Sequence, residues 1–317
     1  YNLGNVLKEL GEHEKAVSNY QNAIKNNPNF IEAHNNLGVL FRELGELQKA
    51  KNCYKKVIEI QPNNAKAHSN LGNILFELGE REKSMHYFKK ALEIKPNFVE
   101  AQANISNFYI SDLYNTEKAI NESYKTLRMH CDSTQFINQK ISSYRLKHDV
   151  QQAEYLSLKN YKINGAEQFQ EVGNAILKRE KKKNSLNQKI LLSDNEIKSL
   201  LPYYKTNHIY KTQKIFSGCI NPNKNWQHVE EQYFNSHNQI IYIDNFLSDD
   251  AVKELRKFCL VSKVWNEEYH NNKYLGAFSD KGFISEIHLQ IAIELQQKLP
   301  RLFGPYGLAK FWAFKYD

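Results

Sequence analysis

Apolar and small residues in the first third of the chain return on one period. Leu3-Gly4, Leu37-Gly38 and Leu71-Gly72 lie 34 residues apart, as do Leu10-Gly11, Leu44-Gly45 and Leu78-Gly79. The same offset carries Tyr20 to Tyr54 and Phe88, and Pro28 to Pro62 and Pro96. Apolar positions three and four apart within each period predict helices. The second glycine of each unit suits a turn needing positive φ, and the first lets two helices approach closely. Each proline, followed by Asn, ends the second helix. Residues 1–98 therefore read as three helix pairs. A stack of like units, none able to bury its apolar face alone, offers a broad concave face to other molecules.

The pattern then decays. Ser106 stands where a fourth glycine is due, and Ala119 arrives one residue late for the small position. From about 112 to 185 the pattern stays helical without the consensus, as degenerate pairs that cap the stack. Leu191 to Tyr204 predicts a short helix opened near Ser193-Asp194, and Asn221-Pro222-Asn223 with Trp226 an ordered loop. At residue 239 the grammar changes. Gln239 to Asp244 is β-branched and aromatic and predicts a strand. Ser248 with Asp249 and Asp250 opens a helix to about Leu260. Ser285-Glu286 opens another, closed by Pro300 and Gly304, and Leu308 to Tyr316 alternates as a last strand. The expected division is 1–110 for the repeats, 111–190 for degenerate repeats and cap, 191–238 for a connecting segment, and 239–317 for a C-terminal part.

Leu-Gly-x-x-apolar, then Ala-x-x-x-aromatic (Ala16/Tyr20, Ala50/Tyr54, with Ser84/Phe88 in the third unit), then proline, resembles the tetratricopeptide repeat over about residues 1–110. The resemblance implies a mainly α, solenoid front that takes a protein or peptide in its concave groove. Asn2, Asn36, Asn70 and Asn104 recur just before each Leu-Gly or its counterpart. A carboxamide offers one acceptor and two donors, so such a column can grip a peptide backbone without reading its side chains. This resembles the asparagine ladders of the O-linked N-acetylglucosamine transferase family. The other role open to these residues is to hold neighbouring helices together. Asn5 and Asn73 would extend the polar stripe.

Farther along, Ile240 to Ser248, Val252 to Arg256, Tyr274 to Phe278 and Trp312 to Asp317 together resemble bacterial Fe(II)/2-oxoglutarate oxygenases of the prolyl-hydroxylase-like type, over about residues 190–317. The resemblance implies the start of an α/β double-stranded β-helix, or jelly roll. It also implies hydroxylation dependent on Fe(II) and 2-oxoglutarate in the full-length protein. The family's His-x-Asp follows a strand like Phe311 to Tyr316, so the ligands are expected past Asp317, and no catalytic or metal residue is assigned within 1–317. The strands near 241 and 313 are expected to be neighbours in an unfinished barrel, with Trp312, Phe314 and Tyr316 exposed. The alternative is a non-enzymatic interaction or scaffold protein. Two local His-x-acid matches, His130-Cys131-Asp132 and His228-Val229-Glu230, lack the strand context of an iron site.

Composition changes this picture little. The net charge of +8 divides as +2 over residues 1–100, +6 over 101–238 and zero over 239–317. Its sharpest cluster, Lys178-Arg179-Glu180-Lys181-Lys182-Lys183, has no interleaved aromatics and reads as a solvated helix end, so nucleic acid is not an expected partner. Cys53, Cys131, Cys219 and Cys259 are scattered, which argues against a zinc knuckle or disulfide framework and for a reducing cytoplasm. No apolar run approaches 18 residues, so no membrane span is expected. His270 and His288 read as surface or helix-start residues. The chain opens at Tyr1 inside a first helix and reads as a fragment cut at the front.

Overall fold

The computed structural model describes residues 1–112, 115–134, 139–182, 189–237, 241–265, 267–269, 274–304 and 312–316. It divides into two compact units, Tyr1–Phe108 and Tyr109–Asp317.

The first unit is built from α1 (Asn2–Glu9), α2 (His13–Asn26), α3 (Ile31–Glu43), α4 (Leu47–Ile60), α5 (Ala65–Glu77), α6 (Arg81–Ile94) and the start of α7 (Val99–Ile110). Each turn inside a pair is the same device. Gly11, Gly45 and Gly79 take φ of 77°, 75° and 78°, a left-handed conformation that a residue without Cβ adopts freely. Their amides, and those of the glutamates that follow, bond back to the last carbonyls of the first helix, as in Gly45 N–H to Arg42 and Glu46 N–H to Phe41. Between pairs, His34 Nε2 bonds the Pro28 carbonyl at 2.9 Å and His68 Nε2 that of Pro62 at 2.8 Å.

Close packing follows from the other glycine. A Cβ on Gly4, Gly38 or Gly72 would meet the ring of Tyr20, Tyr54 or Phe88 at 2.8, 2.9 and 2.6 Å, too near for any real side chain. Tyr20, Tyr54 and Phe88 are accordingly buried, with Ala16, Ala50 and Ser84 one turn away. In the fourth position, Ser106 replaces glycine and turns its hydroxyl onto the Gln102 carbonyl.

The second unit is also mainly helical. It contains α8 (Thr116–Thr134), β1 (Lys140–Ser142), α9 (Ser143–Leu158), α10 (Ala166–Lys182), β2 (Lys189–Leu191) and α11 (Asp194–Lys205). There follow α12 (Trp226–Asn235), α13 (Asp249–Val261), β3 (Glu267–Tyr269), β4 (Tyr274–Phe278), α14 (Glu286–Lys298), α15 (Pro300–Phe303) and β5 (Trp312–Tyr316). Ser193 and Ser248 cap α11 and α13 as their positions predict. Pro300 does not simply end α14; it opens α15 at the first-turn position that proline tolerates. The main core joins α9, α10 and α11 through Leu146, Val150, Phe169, Leu200 and Tyr203. Buried beside it, the Asp149 carboxylate takes Arg145 Nε at 2.6 Å and the Tyr204 hydroxyl at 2.7 Å on one oxygen, and faces His148 Nδ1 at 3.1 Å on the other.

The β structure departs from expectation. β4 pairs antiparallel with β3 on one side and β5 on the other, Gly276 opposite Phe314, so the last strand lies beside Tyr274–Phe278 and not beside residue 241. Ile241 to Ile243 alternates, the isoleucines half-buried against Ile220 and Trp226 and Tyr242 95% exposed, but forms no ladder among the described residues. The nearest pairing is a single bridge between Ile220 and Leu247. A period of two reports only which face is buried; a strand also needs a backbone partner. With β1 paired only to β2, the described residues form no jelly roll. Gln239 and Ile240 lie outside the described residues, as do the side chains of Trp312, Phe314 and Tyr316 whose exposure was expected.

Two measurements check this packing. Tyr54→Ala should lose about 3–5 kcal/mol of stability by cavity formation, read as a urea midpoint shift. Burial raises the Asp149 pKa, but the Arg145 charge and the His148 contact outweigh it and hold the carboxyl at about 2. The unfolded value is near 3.9, so its stabilisation is complete above about pH 4 and is lost as pH falls toward 2. Asp149→Asn should cost about 3–5 kcal/mol near neutral pH, by stranding Arg145, and weaken that acid-dependent loss of melting temperature.

Candidate protein-binding face

The first helices of successive pairs lie side by side and exchange side-chain bonds with one recurring offset. Asn36 Nδ2 donates to the Tyr1 hydroxyl at 3.0 Å, and Asn104 Nδ2 to Ser69 Oγ at 3.0 Å; both pairs are 35 residues apart. Two helical turns farther on, Lys8 Nζ meets Glu43 at 2.9 Å, and Arg42 donates from Nε to Glu77 at 2.7 Å, again 35 apart. A residue one place later in the next unit thus faces its partner across the joint. Because Asn36 and Glu43, or Asn70 and Glu77, are seven residues apart on one helix, the carboxamides and the ion pairs share a face.

The four predicted asparagines are not equivalent. Asn36 also donates to Asn5 Oδ1 at 2.9 Å, and the same oxygen receives the Tyr20 hydroxyl at 2.8 Å. Both Asn36 donors are therefore engaged inside the protein. By register, Asn70 is due to donate to Asn35, but Asn70 has no side-chain hydrogen bond among the described residues, and the Asn35 Oδ1 is buried without one. Asn2 is exposed at the front of α1, and Asn73 stands half-buried one turn beyond Asn70. At the rear edge of this unit, Arg81 lies 5.3 Å over the Phe76 ring and 4.3 Å over that of Phe108. Phe76 occupies the place that Lys8 and Arg42 hold in the preceding units.

Elsewhere the chemistry is committed to the fold. Exposed His228 and buried Glu230 point apart, and the Glu230 carboxylate accepts the Arg301 and Leu302 amides at the start of α15. His130, Cys131 and Asp132 lie on α8 with side chains outside the described set, and His270 and Lys183 lie outside it altogether. Among the described residues no three His, Cys, Asp or Glu side chains converge on a metal position. His288 stands at the start of α14 but not at the surface: its ring packs on Phe258 and Phe283, and burial pushes its pKa down to about 3. Arg179, in the basic cluster, pairs with Glu180 and Glu196. A cleft of about 710 Å³ opens between α8, residues 209–214 and α14. Its Gln290 grips the Ile215 main chain, and its Glu294 accepts the Cys219 and Ile220 amides. No helix among the described residues is long and apolar enough to cross a membrane.

Asn36→Ala removes two bonds that tie α3 to Tyr1 and to Asn5 of α1 and should cost about 1–3 kcal/mol of stability. Asn70→Ala removes none and should stay within about 0.5 kcal/mol of the parent in the same chemical denaturation series.

Comparison with known proteins agrees with this geometry. The family model described as "TPR repeat" matches residues 4–45 and 40–79, and the one described as "Tetratricopeptide repeat" matches 65–98. A search of the curated proteins finds no match. Among solved structures, a MamA fragment from Desulfovibrio magneticus RS-1 is 19% identical, with a TM-score of 0.39, covering 43% of this chain and 76% of that one. A mutant O-GlcNAc transferase of Thermobaculum terrenum is 22% identical, with a TM-score of 0.37, covering 40% of this chain and 25% of that one. The first TPR of Spaghetti (RPAP3), bound to an HSP90 peptide, is 20% identical, with a TM-score of 0.33, covering 34% and 86%. Likenesses this loose carry no argument, and the assignment rests on the family models together with the helix-pair geometry. Residues 4–98 of this chain match the tetratricopeptide repeat.

Proposed function

We propose that this protein is an interaction protein. Its repeats take an extended segment of a partner protein across the face formed by the first helices. The observation that carries the reading is the unengaged polar centre of that face. Asn70 keeps both amide donors and its acceptor, and Asn73 stands one turn away without a side-chain partner. An extended chain presents alternating N–H and C=O groups that one carboxamide can meet bidentately. Of the predicted peptide-binding set, Asn70 and exposed Asn2 would contact the ligand directly. Asn36 and Asn104 would mainly hold the joints. A cytoplasmic setting, a helical cap to about residue 190, a connecting segment to 238 and a separate part from 239 belong to the same proposal.

A second reading couples this binding to Fe(II)/2-oxoglutarate-dependent hydroxylation in the full-length protein. Its support is the sequence of β5, which matches the strand that precedes His-x-Asp in that family, although β5 pairs with β4 and not with residue 241. It fails if the polypeptide that contains residues 1–317 carries no His-x-Asp with a later His.

The main reading is tested by selecting binders from a library of random unstructured peptides and titrating them calorimetrically. Asn70→Ala should weaken them about 3–10-fold, one hydrogen bond or slightly more, with the far-ultraviolet spectrum unchanged. Equal affinity for parent and variant would remove Asn70 from the binding surface.

A further inference from the structure

The ion pairs on the binding face have a consequence for what it can bind. Lys8 and Arg42 sit at the same register in successive units, two turns from the asparagine column and on the same face. In isolation they would form a positive track suited to an acidic peptide or a free C-terminal carboxylate. Neither is available. Glu43 stands 2.9 Å from Lys8 Nζ, and Glu77 stands 2.7 Å from Arg42 Nε. In the third unit the position is Phe76, and the Arg81 that stacks on its ring donates to the Phe108 carbonyl.

Each internal carboxylate is tethered on the neighbouring helix, so its effective concentration beside the cation is far above that of any dissolved ligand. A peptide carboxylate must displace it and then approach it at close range. Glu9 occupies the register of Glu43 and Glu77 in the first unit, so three carboxylates stand in this band beside Lys8, Arg42 and the Arg81 that stacks on Phe76. One turn to the other side of the asparagines, exposed Lys66 is flanked in register by Glu32 and Glu100 in the adjacent units. That border therefore carries two carboxylates to one cation.

We infer that this face selects uncharged extended peptide segments and rejects acidic segments and free carboxyl termini, because Glu43 and Glu77 occupy the two cations that would bind them. The inference rests on the interaction reading but is tested separately from it. The pairs are half-exposed, with side-chain accessibilities of 26% and 47% for Lys8 and Glu43 and 47% and 32% for Arg42 and Glu77. Exposed pairs of this kind add little to stability, so they can be dissolved without unfolding the repeats.

The probe is an acidic heptapeptide with a free C-terminal carboxylate, titrated at low salt against the parent, Glu43→Gln/Glu77→Gln, and the same double variant with Lys8→Gln and Arg42→Gln added. The double variant should bind it on the order of tenfold or more tightly than the parent, and the quadruple variant should lose the gain. Circular dichroism verifies folding, and Glu43→Gln alone carries the test if the double variant loses helix. Parent binding as tight as the double variant's overturns the inference and leaves the interaction reading standing. No gain in the double variant overturns it as well, as does a gain that survives loss of Lys8 and Arg42. Failure of the interaction reading shows instead as indifference of neutral binders to Asn70→Ala.

Discussion

In each of the first three pairs, the ring of Tyr20, Tyr54 or Phe88 lies flat against a glycine of the opposing helix, at a distance no side chain at that position would permit. Everything else in the repeats is built on that spacing. It sets how deeply each second helix nests on the first, and hence where the next pair begins. With Gly4, Gly38 and Gly72 in register, the same step repeats, and one lateral offset serves every joint. The turn glycines complete the constraint by reversing the chain at constant geometry, their positive φ letting two amides return to the helix just ended.

Once the spacing is constant, polar side chains on adjacent first helices meet at a fixed offset of 35 residues, and the face acquires two functions in competition. A carboxamide or charge that bonds across a joint holds the superhelical step but is withdrawn from ligands. Asn36 lies at one extreme, with both donors internal, and Asn70 at the other. The division leaves most polar side chains of the face bonded across joints and Asn70 at its centre unbonded among the described residues. The proposed recognition of a peptide backbone rather than of charge is built on that arrangement.

The second unit obeys different physics. Its helices are not related by translation, and its polar core is specific: Asp149 is held ionised by Arg145 in the midst of Leu146, Val150 and Tyr204. A buried carboxylate tolerates that setting only with its partners in place. Its clefts and loops draw on the same polar groups that might otherwise serve a ligand. Glu294, Gln290 and Glu230 all bind main-chain groups of their own unit.

By itself the sequence determined the helix pairs, the role of each repeated glycine and the burial of the small and aromatic positions. Those depend on backbone chemistry within a few residues and on a period that labels equivalent places. The caps at Ser193 and Ser248 were legible for the same local reason. Which asparagine is free and which is tied was not legible, because the identical residues Asn36 and Asn70 differ in what stands 31 and 35 positions earlier, Asn5 and Tyr1 for one and Val39 and Asn35 for the other, and in whether it comes within reach. The pairing of Lys8 with Glu43 was hidden likewise, since charges read along the chain carry no distance. In the β region, Ile241 and Ile243 announced a buried face, but a ladder needs a second strand, and only the tertiary structure decided that β4 pairs with Trp312–Tyr316 while residues 241–243 have no ladder partner among the described residues.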